Sequence, residues 1–138
     1  MRKFLFVALV VVLAFGALAP VSAQDDPIRV GSKQFTEQIV LGQIMLLALE
    51  DAGYDVEDRT NLGSTSVNRE ALVNGEIDIY PEYTGTAISN HFQDVPWVTF
   101  PEGASRDRVV GYSQISAYDA AINDLVWLQP TPANNTYA

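Results

Sequence analysis

The chain has 138 residues, 48% of them hydrophobic, a formal net charge of −9 and no cysteine. That acidity argues against nucleic acid or an anionic membrane surface as a partner. The missing cysteines exclude a disulfide framework, a thiolate metal site and a lipidated cysteine anchor.

The N-terminus opens with Arg2 and Lys3, followed by an almost uninterrupted apolar run over residues 4–19, Pro20, and the small-residue pattern Val21-Ser22-Ala23. This is the form of a secretory signal peptide over residues 1–23, with cleavage expected after Ala23. The apolar run falls short of the ~20 residues that a spanning helix needs. Removing Arg2 and Lys3 would take the charge from −9 to −11. About 115 residues then remain, one domain of ordinary size, expected in the periplasm or another extracytoplasmic space.

Residues 28–30 predict a first short strand. Over residues 36–52, Ile39, Val40, Ile44, Leu47 and Ala48 recur at helical spacing. Thr36 is the expected N-cap and Gly53 the stop, while Leu41, Leu46 and Leu49 widen the apolar face. Residues 54–60 predict a second strand, residues 61–66 a loop of small polar residues, and residues 67–74 a short helix closed by Gly75. Residues 77–80 predict a third strand broken by Pro81, with a further helical turn or two over residues 86–92. Residues 93–103, carrying Pro96 and Pro101, have no clear period and suggest a surface excursion. Ser105 is placed to cap another helix with Val109, Ile115 and Ile122 on one face. Residues 125–128 predict a fourth strand, ended by Pro130 and Pro132. Strands alternating with helices at these intervals imply βαβ units, so the expected class is α/β, a parallel-rich sheet with helices on both faces.

Polar turns follow the predicted strands at residues 31–37, 62–66, 82–86 and 133–137. Parallel strands would gather them along the carboxyl edge, where ligands of open α/β sheets bind. Lys33 would bring a positive charge there, Tyr83 and Tyr137 aromatic faces, and Thr86 a hydroxyl. A quaternary ammonium suits aromatic faces, at roughly 0.5–2 kcal/mol per contact. A carboxylate on the same molecule would instead seek Lys33 and hydroxyl or backbone donors. Tyr80 is expected to pack. His91, the sole histidine, falls in a helix tail and is expected to be exposed. No nucleophile elbow, phosphate-cradling loop or metal-ligand spacing is present in the sequence, so no catalytic residue, metal or cofactor is expected. Asp78 and Glu82 support a rival reading as the paired carboxylates of an exported hydrolase. Their plainer role is that of strand-end acceptors satisfied by nearby backbone N–H groups.

The motifs Val30-Gly31-Ser32-Lys33-Gln34-Phe35-Thr36-Glu37-Gln38 with Leu41-Gly42, Asn61-Leu62-Gly63-Ser64-Thr65, Arg69-Glu70-Ala71-Leu72, Gly75-Glu76-Ile77-Asp78, residues 78–86 and residues 134–138 together resemble the substrate-binding proteins of osmoprotectant ABC importers. These take up glycine betaine, choline, carnitine and related quaternary amines and deliver them to a membrane permease. The resemblance spans most of residues 28–138 and is weakest over residues 93–104. It implies a type II periplasmic-binding fold, in which two α/β lobes close on the ligand. Tyr83 and Tyr137 fall where the family's first lobe contributes tyrosines around the ammonium, and Lys33 and Thr86 where it contacts the carboxylate. A complete member is roughly twice as long, so the resemblance implies a missing second lobe, with its remaining tyrosines and an arginine. An inactive truncated remnant is therefore a further alternative.

Overall fold

The computed structural model describes residues 26–131. The expected signal peptide and Tyr137 both lie outside the described residues. The elements are β1 (Ile28–Lys33), α1 (Thr36–Asp51), β2 (Val56–Gly63), α2 (Thr65–Val73), α3 (Thr84–Asn90) and α4 (Arg108–Asn123).

β1 is the central strand. It pairs in parallel with β2, from Ile28 opposite Val56 to Lys33 opposite Gly63, with a register shift between Gly31 and Lys33. On its other edge the expected third strand shrinks to one parallel bridge, Val30 to Ile79. There the Gly31 amide donates to the Ile79 carbonyl and the Asp78 amide to the Arg29 carbonyl, both at 2.8 Å. Pro81 has no N–H with which to extend the ladder. β2 runs further than expected, through Asn61-Leu62-Gly63, and α2 begins directly after Ser64.

Consecutive strand residues face opposite sides of a sheet, and two glycines show which helix covers each. A Cβ at Gly31 would stand 2.5 Å from Ile77 Cδ1 and 3.4 Å from Asn68 Oδ1 of α2. A Cβ at Gly42 of α1 would stand 2.7 Å from Thr60 Cγ2 and 3.1 Å from Ser32 Cβ. So α2 covers the Gly31 face, α1 the Ser32 face, and the sheet is covered on both sides as expected. Gly42 draws α1 in so closely that the buried line of that helix is Gln38, Gly42 and Leu46. The predicted apolar stripe is thereby corrected: Val40, Ile44 and Leu47 are exposed. Its N-cap position is Phe35, one residue before the expected Thr36, and carries no side-chain capping bond.

The second half of the described chain packs around Phe92, Ala87 and Ile115. Residues 93–103 are not merely a surface excursion, because Val98 and Phe100 pack against that cluster. Phe92, Phe100 and Tyr118 have ring centroids 5.5–5.9 Å apart. α4 is capped by Asp107 rather than Ser105, its carboxylate accepting from the amides of Val109 (3.0 Å) and Val110 (2.9 Å). Its buried residues are Gly111, Ile115 and Asp119, while Val109 and Ile122 are exposed.

Residues 125–128 do not form the expected fourth strand. Asp124 sits in the left-handed region (φ 56°) and turns the chain back along α4. The Trp127 indole then donates to Asp119 Oδ2 at 2.6 Å, and its carbonyl accepts from the Tyr112 hydroxyl at 3.1 Å. Those anchors hold the segment to a helix instead of a sheet edge.

Asp119 is fully buried and is also paired in bidentate fashion with Arg69 of α2, with Asn123 donating at 3.0 Å. Arg69→Met would strand that carboxylate and should lower stability by about 3–5 kcal/mol, measurable by urea unfolding. At Gly111, an added Cβ would lie 2.6 Å from the Ala104 carbonyl oxygen, a backbone atom that cannot step aside. Gly111→Ala should therefore lower the melting temperature, because about 1–3 kcal/mol of overpacking exceeds the ~1 kcal/mol gained in helix propensity.

Candidate ligand site

The carboxyl ends of the strands converge. The Gln34 amide donates to the Gly63 carbonyl at 3.0 Å, joining the turns after β1 and β2. Lys33 closes β1 and Glu82 follows the Ile79 bridge, and their side chains form an ion pair across 49 residues of sequence. Three of the four turns singled out in the sequence thus meet, and the fourth lies outside the described residues.

Glu82 is the hub of this cluster. Its Oε1 accepts from the Lys33 ammonium and from the Tyr83 amide at 2.7 Å. Its Oε2 accepts from the Tyr80 hydroxyl at 3.1 Å and lies 3.2 Å from His91 Nε2. The lysine and glutamate side chains are only 3% and 5% exposed. Burial alone would raise the Glu82 pKa. The His91 hydrogen bond, the charge and hydrogen bond of Lys33 and the Tyr83 amide outweigh it and hold the carboxyl below its ordinary value of 4.5. Tyr80 is pushed the other way, upward, first by burial and then by the Glu82 charge.

Lys33 does not stand on an open rim. It is 2% exposed, with its ammonium 5.3 Å from the centroid of the Tyr83 ring. Tyr83 occupies the N-cap position of α3, and Thr86 lies within the first turn of that helix. Phe35 stacks on Tyr83 with centroids 6.5 Å apart and planes inclined by 17°. The structure therefore brings Lys33, Tyr83 and the start of α3 together. It adds three residues that the sequence reading passed over or misjudged. Phe35 was legible in principle, an aromatic between two polar motif residues. From the sequence Glu82 is expected only as a strand-end acceptor or a hydrolase carboxylate. His91 was expected to be exposed, yet its side chain is 1% exposed, because α3 ends by turning it inward onto Glu82. Tyr80 packs as expected, bonded to Glu82. Asp78 is engaged elsewhere, in an ion pair with Arg29 at 2.8 Å and with the Arg29 amide.

The chain is similar to proteins already known. Residues 26–138 match the family model described as the substrate-binding domain of ABC-type glycine betaine transport systems. The chain belongs to that family. Among its relatives, the glycine betaine-binding protein YehZ of Escherichia coli is 41% identical over 112 residues, covering 81% of this chain and 35% of YehZ. A glycine-betaine-binding protein of Pseudomonas aeruginosa is 39% identical over 125 residues, covering 89% of this chain and 36% of that protein. The solved structure of apo YehZ superposes with a TM-score of 0.70 at 41% identity, covering 80% of this chain and 37% of that one. The chain spans little more than a third of the length of these relatives.

Acid should test the cluster in this family member directly. A carboxyl whose folded pKa is depressed stabilises the fold above its unfolded value, near 4.5, and loses that contribution as pH falls through the lower folded value. Unfolding free energy measured by urea between pH 6 and pH 3 (about the range over which carboxyls protonate) should fall at the acid end. Glu82→Gln should flatten part of that fall.

Proposed function

We propose that the chain forms the first lobe of an exported binding protein that captures a small quaternary amine, such as glycine betaine or choline, and passes it to a permease in the membrane. Tyr83, at the convergence of three strand-end turns and beside a buried lysine, carries the reading. An aromatic ring suits a methylated ammonium, which cannot donate a conventional hydrogen bond and gains from an aromatic quadrupole. Lys33 supplies a positive charge for a carboxylate and Thr86 a hydroxyl donor. Tyr137 is proposed as a second ring of the same box. The extent of the relatives supports a second lobe that completes the envelope around the ligand, and the pattern of residues 1–23 supports export.

Calorimetric titration with glycine betaine and with choline tests the proposal. Both should bind, and an absence of heat from both would sink it. Tyr83→Ala should weaken both ligands by about 3- to 30-fold, the affinity equivalent of one cation–π contact. Lys33→Ala should weaken betaine, which carries a carboxylate, more than choline, which does not.

A further inference from the structure

The Lys33–Glu82 pair bears on how the site chooses between a zwitterion and a cation. A buried lysine beneath an aromatic wall is a poor neighbour for a cationic ligand, since like charges in a partly desolvated site repel strongly. Here the lysine is not alone. Glu82 pairs with it, and each Glu82 oxygen already faces two polar neighbours, Lys33 and the Tyr83 amide on one, the Tyr80 hydroxyl and His91 on the other. A carboxylate accepts at roughly four lone-pair sites, and with the His91 proton on Nε2 all four are engaged within the cluster. Its influence is that of a charge set beside Lys33. The ammonium is different. It has three donors, and among the described residues Glu82 is the acceptor that uses one of them.

From this arrangement we infer that Glu82 is the specificity-determining residue of the site, a positioning residue that neutralises Lys33 and so lets one pocket accept both cationic and zwitterionic quaternary amines. The inference rests on the proposed quaternary-amine reading and goes beyond it by assigning the charge selectivity to a residue that does not touch the ligand. With Glu82 ionised, Lys33 and Glu82 sum to zero, and the aromatic wall alone sets the attraction for the ammonium. With Glu82 neutral, the lysine charge is uncompensated. A ligand carboxylate then gains, and a ligand with only a cation loses. Tyr80 and His91, the other groups against Glu82, hold its second oxygen and keep the carboxylate aimed at Lys33.

The test compares glycine betaine and choline on the full chain and on Glu82→Gln, Lys33→Gln and the double variant, by NMR titration of the Tyr83 amide at fixed ionic strength. Glu82→Gln should shift the betaine-to-choline affinity ratio toward betaine by at least about tenfold, and Lys33→Gln should shift it toward choline. The double variant, like the unmodified chain, has no net charge at this pair, so its ratio should return to within about twofold of the unmodified chain's. The double variant carries neither buried charge, so it keeps the comparison open even where a single variant folds poorly. A merely structural role for Glu82 would weaken both ligands alike and leave the ratio unmoved. That result, or a double variant whose ratio stays as far from the unmodified chain's as that of Glu82→Gln, would overturn the inference while leaving the quaternary-amine reading intact. If the unmodified chain binds neither ligand, both fall together.

Discussion

The ion pair between Lys33 and Glu82 is the constraint on which the carboxyl edge of this sheet depends. Two charges taken from water are stable together only if the geometry is good and the remaining lone pairs are used. That condition holds each contributor in place. Lys33 must be the last residue of β1, Glu82 must follow Pro81, Tyr83 must present its amide to Oε1, and α3 must end so that His91 reaches Oε2. Turns 49 residues apart in sequence are thereby locked to one another, and the Tyr83 ring is set down beside them.

A second buried charge does the equivalent work away from the site. Asp119 gathers Arg69 from α2, Asn123 from its own helix and the Trp127 indole from the returning chain. The sheet with its two covering helices is thus tied to the aromatic cluster around Phe92, whose ring also lies 6.0 Å from the Arg69 guanidinium carbon. The described chain uses ionic anchors at two of its main joints, each satisfied on several sides. Among the described residues these anchors stand beside a buried apolar core that includes Val30, Leu46, Ile77, Phe92 and Ile115.

Much of this was legible beforehand. The βαβ alternation, the parallel pairing of β1 and β2, a helix over residues 36–52, a short one over 67–74 (observed from Thr65 to Val73) and the gathering of polar turns all follow from local pattern and from the geometry of parallel sheets. What failed did so for tertiary reasons. The stripe expected to bury Val40, Ile44 and Leu47 turned outward because Gly42 packs closer to the sheet than any branched side chain allows. The strand expected over residues 125–128 was apolar enough, but Asp124 reversed the chain and Asp119 captured Trp127. His91 looked like a solvated helix tail because nothing in its neighbourhood announces a partner nine residues earlier.

Sequence alone determined the family, the class of fold and the residue types at the carboxyl edge, since motif spacing and hydrophobic period are properties of the chain itself. Only the tertiary structure decided that Lys33 is buried, that Glu82 neutralises it and that Phe35 and His91 join them. Those outcomes depend on which distant groups meet once water is excluded, and a buried charge has no signature in sequence until its partner is found.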